Sequence, residues 1–208
     1  GVEVQGYVFD LTVQGAGREL VEKACADFGR VDILVTNSGG PPPGSAEESE
    51  VEGLLAGIQG NFLSAVEMTQ AALPGMKDGE FGRIVHITSI SVKEPIEGLV
   101  ASNASRPALV GWSKTLAGEV GADGVTLNTV CPGYIATERH HERTQAVATR
   151  DGRTPDDVSE EWAASTPMGR HGEPHEVGDV VAFLCSTQAS YMTGTAIAVD
   201  GGRCRSLL

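Results

Sequence analysis

The feature that most limits how this chain can fold is an alternation of short β-branched runs with helical stretches. Val31-Asp32-Ile33-Leu34-Val35-Thr36-Asn37 is the clearest run. Its centre is apolar without alternation. That is the pattern of a strand covered on both faces, and it favours a parallel sheet. Residues 4–9, 84–87, 125–130 and 195–199 read as further strands. Between them, residues 18–28 place Leu20, Val21, Ala24 and Phe28 at helical spacing. Residues 48–76 keep Val51, Leu54, Leu55, Ile58, Phe62, Ala65, Val66 and Thr69 on one face of a long helix. Another helix begins near Leu99, carries Leu109, Trp112 and Leu116, and breaks at Gly121 and Gly124. Pro174 leads a last helix through Val181 and Leu184. Strand and helix alternate, so the class is α/β, with right-handed crossovers. Residues from about 137 to 172 are polar and charged, with Thr154 or Asp156 opening a short helix. They read as a lid-like insertion over the carboxyl edge of the sheet.

In open α/β sheets, ligands bind outside the carboxyl ends of the strands. The run Arg83-Ile84-Val85-His86-Ile87 ends there in two hydroxyls, Thr88 and Ser89. Ser102 and Arg106 follow in the next helical stretch, one turn apart. Ser102 reads either as a hydroxyl donor or as a helix cap. Arg106 offers a planar fork of donors. Pro107 is tolerated in a first helical turn and costs about 3 kcal/mol deeper inside. If Ser105 caps the helix, Ser102 and Arg106 need not share a face. Both arrangements stay open at this level.

Composition narrows the function. The net charge is −13 and the pI about 4.7, the opposite of a nucleic-acid footprint. No apolar run approaches the roughly 18 residues of a membrane span. Neither partner is expected. Cys25, Cys131, Cys185 and Cys204 are scattered without metal-ligand spacing. They read as reduced thiols of a cytoplasmic protein, and no metal is expected. His140, His141 and Arg143 read as a surface cluster, and His171 and His175 as surface residues.

Further landmarks fall in a fixed order: Asp10-Leu11-Thr12, Thr36-Asn37-Ser38-Gly39, Asn61, Pro132-Gly133-Tyr134-Ile135-Ala136-Thr137, Gly169-Arg170-His171-Gly172-Glu173-Pro174 and Asp200-Gly201-Gly202. Together they resemble the short-chain dehydrogenase/reductase family, over essentially the whole chain. Ser102-Asn103-Ala104-Ser105-Arg106 is similar to its 3-oxoacyl carrier-protein reductase-like branch. The resemblance implies a Rossmann-type doubly wound parallel sheet, NAD or NADP as cofactor, and hydride transfer to or from a small carbonyl or secondary alcohol. It implies catalytic roles for Ser89, Ser102, Arg106 and Asn61. It places Asp10 and Leu11 at the adenine ring, Asn37, Ser38 and Gly39 along the cofactor, and Pro132, Gly133, Ile135 and Thr137 around the carboxamide. It also implies a homodimer or homotetramer that buries the helices at 48–76 and 99–120.

The family's tyrosine acid, thirteen residues after the serine, is here Ser102. Its lysine, four further on, is Arg106. Among stand-ins, Lys93 reads as a solvated lysine and Tyr134 as loop packing. The family's opening glycine-rich turn has no match in the sequence. Residues 1–208 are therefore expected to form one truncated dinucleotide-binding domain, without its first two strands, from a chain of roughly 250 residues. The strand at 4–9 is then left without a neighbour, and the run at 31–37 has a bare edge. The choice of NAD or NADP lies in the missing part. A catalytically silent ligand-binding or partner subunit is the alternative to an oxidoreductase, and a non-redox lyase ranks behind both.

Overall fold

Side chains alternate across a strand, and this chain uses both sides. Ile84, Val125 and Leu127 point one way and meet Val21, Met68, Ala72, Met76, Ala117 and Val120. Val85 and Val130 point the other way and meet Val177, Leu184 and Ala189. The computed structural model describes residues 1–207. Its four strands are β1 (Ile33–Thr36), β2 (Gly82–Ile87), β3 (Val125–Pro132) and β4 (Ala196–Val199). They are all parallel, in the order β1-β2-β3-β4. Helices α1 (Ala16–Phe28), α3 (Ser64–Asp78) and α4 (Val100–Val120) cover the first face. α7 (Pro174–Cys185) covers the second. α2 (Val51–Ile58) joins α3 through a π-helical turn, Gln59–Leu63.

Three sequence expectations need correction. Residues 4–9 form no strand, and Val4 and Val8 are 82% and 101% exposed. Among the described residues no strand lies beside them, so their backbone has no ladder to join. β1 is not covered on both faces. Leu34 and Thr36 are buried, but Ile33 and Val35 are 48% and 43% exposed. β1 is the sheet's edge, and α7 sits over β2 and β3 instead. Finally, the crossovers do not share one hand. The strands follow each other in one direction, yet α4 links β2 to β3 on the face opposite α7, which links β3 to β4. The long path through α5 (Glu138–Asp151) and α6 (Pro155–Ala164) carries the chain around the carboxyl edge to the second face.

α4 begins at Val100, so Ser105 is not its cap and Pro107 lies inside the helix. Ser102 and Arg106 are then one turn apart on one face. The lid has the expected cap. Thr154 and Asp157 form a reciprocal capping box at the start of α6.

His86 fixes the pH response of this core. It is fully buried in β2, and Nδ1 shares a hydrogen bond with Thr36 Oγ1 at 2.7 Å. Burial pushes its pKa from 6.5 down to about 4. Between those values the unfolded chain binds a proton that the folded chain does not. Stability therefore falls as pH drops from about 6.5 to about 4, by roughly 3 kcal/mol from this group alone. His86→Gln is expected to remove that share of the slope in urea midpoints measured across the window. An unchanged slope assigns the acid sensitivity elsewhere.

Candidate active site

The carboxyl ends of β1, β2 and β3 open into a cavity of about 850 Å³. Its lining includes Asn37, Ser38 and Gly39 after β1, Ser89 after β2, Ser102 and Arg106 from α4, and Pro132, Gly133, Ile135 and Thr137 after β3. Of the residues singled out in the sequence, ten thus share one space. Asn61 does not line it. It is 4% exposed in the π-helical turn. There it accepts from Ser38 Oγ (3.2 Å) and donates through Nδ2 to Ser105 Oγ (2.9 Å). It positions the end of β1 against α4 and touches no cavity surface. Asp10 and Leu11 also lie outside the lining. Asp10 Oδ1 accepts from the Thr12 amide (2.9 Å) and hydroxyl (2.6 Å), and Leu11 packs against the core beneath α1.

Ser89 and Ser102 are held alike. Ser89 Oγ accepts from the Ser91 amide at 3.1 Å, and Ser102 Oγ accepts from Arg106 Nε at 3.1 Å. In each case the hydroxyl's own proton remains for a partner in the cavity. Ser89 caps a turn and faces the site at once. Ser102 is not a helix cap.

Arg106 is 9% exposed and has no carboxylate partner among the described residues. Besides Ser102, it donates through Nη1 to Thr88 O (2.9 Å) and Ile87 O (3.3 Å). Burial lowers its pKa. Nη2 has no hydrogen-bond acceptor among the described residues, and the side chain borders the cavity. This donor set fits vicinal ribose hydroxyls, so the residues present suit the nicotinamide-ribose half of a dinucleotide. Beside it, the Pro132–Thr137 loop is tied down at both ends. The Gly133 amide donates to Val199 O (3.0 Å), and the Ala136 amide to Gly172 O (2.8 Å). A Cβ at Gly133 would stand 2.7 Å from Asp200 Cβ, so only glycine lets this loop approach β4 so closely.

The lid departs from the sequence reading. His140 is buried, not a surface residue, and its ring centroid is 4.2 Å from that of half-buried His171. Burial, with His171 as a second cause, lowers the His140 pKa to about 4. Tyr134 packs as expected, stacked on Trp162 at 4.9 Å and 8°. The Arg143 guanidinium lies over Trp162 at 5.0 Å and borders the cavity. Sequence reasoning passed over Arg143 as surface charge. The signal was Trp162, an aromatic in an otherwise charged stretch. Lys93 is half-buried and not part of the cavity lining. Among the described residues, no group of three or more His, Cys, Asp or Glu is placed to hold a metal.

A parallel sheet with paired hydroxyls and a buried guanidinium at its carboxyl rim defines a Rossmann-type, nucleotide-dependent enzyme site. Comparison with known proteins narrows this class. The family described as enoyl-(acyl carrier protein) reductase matches residues 1–203. Acetoacetyl-CoA reductase of Shinella zoogloeoides is 34% identical over 95% of this chain and 78% of its own. The 3-oxoacyl-[acyl-carrier-protein] reductase of Haemophilus influenzae is 34% identical over 97% and 79%. Among solved structures, L-sorbose reductase from Gluconobacter frateurii, complexed with NADPH and L-sorbose, superposes with a TM-score of 0.89 at 30% identity, over 96% of this chain and 76% of the other. The chain belongs to the short-chain dehydrogenase/reductase family, in its 3-oxoacyl reductase-like branch of NAD(P)-dependent oxidoreductases.

Proposed function

We propose that the protein interconverts a small ketone and its secondary alcohol with NAD(P)(H), using two serine hydroxyls where relatives of this kind use a serine and a tyrosine. The observation that carries the reading is the matched bonding of Ser89 and Ser102. Each accepts one fixed hydrogen bond, so each presents its proton to the cavity. The cofactor, when bound, supplies or accepts the hydride. Arg106 Nη2 is suited to the ribose hydroxyls, and Asn37, Ser38, Gly39 and the Pro132–Thr137 loop to the nicotinamide end. Asp10 and Leu11 are left for the adenine end, outside this cavity. As charge builds on the substrate oxygen, Ser89 and Ser102 stabilise it as an oxyanion pair. Ser102 is too weak an acid to protonate a ketone early. The alkoxide that forms is as basic as a serine alkoxide, so Ser102 protonates it at little cost and recovers the proton from cavity water, whose hydroxide passes to solvent. Asn61 acts through Ser38 and Ser105.

We read residues 1–208 as one domain whose residues 137–172 close over the site. Four free thiols suit a cytoplasmic protein. Among the described residues no helix is long and apolar enough to cross a membrane. A homodimer or homotetramer is supported by Val51 and Leu55 of α2, 64% and 57% exposed on the expected helical face. The second reading, a silent ligand-binding or partner subunit, is favoured by one observation. Tyr134 is the one tyrosine that borders the cavity among the described residues, and its ring is stacked on Trp162. Nicotinamide absorbance with a panel of ketones and alcohols separates the two readings. Turnover is expected. Cofactor binding by calorimetry without turnover on any substrate leaves the silent reading. Sedimentation of the same sample reads the assembly, and a monomer removes the oligomer.

A further inference from the structure

The geometry points to Arg143 as the anion-binding residue of the substrate pocket, and so to a substrate that carries a carboxylate or phosphate near its ketone. This rests on the reductase reading of the site. Arg143 borders the same cavity as Ser89 and Ser102. It has no ion pair and no hydrogen bond among the described residues. Its guanidinium lies over the ring of Trp162, at 5.0 Å. The neighbouring charges do not neutralise it. Glu142 is taken by Arg139 at 3.2 Å, and Arg139 also donates to Pro41 O at 3.2 Å. Glu138 borders the same cavity without an ion pair among the described residues, but it is five residues back on α5, about 140° around the helix from Arg143. His140 beside it is held neutral by burial. Arg106 spends Nε and Nη1 on Ser102, Ile87 and Thr88, and its remaining Nη2 is the group assigned to the ribose. Arg143 is therefore a cavity guanidinium with no paired acid among the described residues, in a chain with a net charge of −13. The contact with Trp162 orients the planar guanidinium, as suits a bidentate anion.

The test is a matched pair of ketones, acetoacetate and its methyl ester, with wild type, Arg143→Gln and Arg143→Lys. The ratio of kcat/KM for acid over ester is expected to fall about 30-fold in Arg143→Gln and to recover partly in Arg143→Lys. Malonate and inorganic phosphate, titrated by calorimetry without cofactor, distinguish the two anions. The preferred one is expected to bind wild type and to lose at least about 10-fold in affinity in Arg143→Gln. An unchanged acid-to-ester ratio, or equal anion binding by wild type and both variants, overturns the assignment. If neither ketone is turned over, the reductase reading is decided on the wider panel of ketones and alcohols. The anion site then stands or falls on the calorimetry alone.

Discussion

Arg106→Met is expected to lower kcat/KM on the order of 10³-fold while shifting folding stability by less than about 1.5 kcal/mol. The two halves of this prediction have different origins. Arg106 makes three hydrogen bonds, to Ser102 Oγ, Thr88 O and Ile87 O, at 3.1, 2.9 and 3.3 Å. Each such bond to a charged group contributes about 1.5–3 kcal/mol. Against this stands a guanidinium that is 9% exposed with no carboxylate to answer it, and burying an ion costs several kcal/mol. The terms are of similar size and opposite sign. Methionine fills the stem's volume without strain. The bared carbonyls border an open cavity, where water reaches them. The chemistry has no such compensation. Without Nε, Ser102 loses the donor that fixes its proton toward the substrate. Without Nη2, the ribose loses its fork. A variant that turns over like wild type removes Arg106 from the mechanism. One that folds more than about 3 kcal/mol less stably makes it a structural pin.

The same residue shows how far the sequence could be read. That Arg106 and Ser102 face one space follows from their one-turn spacing, provided the helix starts before Ser102. The sequence left that open because Pro107 also suits a first turn. The deciding fact is tertiary: packing on β3 and α2 holds the helix from Val100 despite the proline. The strands at the centre of the sheet were legible because continuous apolar runs have few other uses. β1 was misread for the same reason. An apolar run cannot say whether both its faces find a cover, and Ile33 and Val35 do not. Asn61 was legible as a mid-helix oddity. Its bridge from Ser38 to Ser105 joins residues far apart in sequence and was not. The lid was the least legible part. Its charge suggested solvent, while four aromatic rings, Tyr134, His140, Trp162 and His171, close on one another beneath that charge.

Restoring the missing acid tests the site most directly. In wild type, Ser102 has no ionisation in the working range, and Arg106 stays charged although burial lowers its pKa. The relay then hands its proton to hydroxide, so kcat for alcohol oxidation should climb with pH between about 7 and 10 without levelling. The double variant Ser102→Tyr, Arg106→Lys replaces the relay with a phenol beside an ammonium. A phenol ordinarily ionises near pH 10, and the adjacent cation favours the phenolate. In oxidation the phenolate is the base, so kcat should rise with pH until that lowered pKa and then level. The gain over wild type should be on the order of 10²-fold on the plateau, the usual worth of a matched general base. There is room for the ring, because Ser102 borders a cavity of about 850 Å³. A wild type that already levels within that window has another titrating group moving the proton. A double variant that binds cofactor yet gains neither the plateau nor the rate means that Ser102 does not stand over the reacting oxygen.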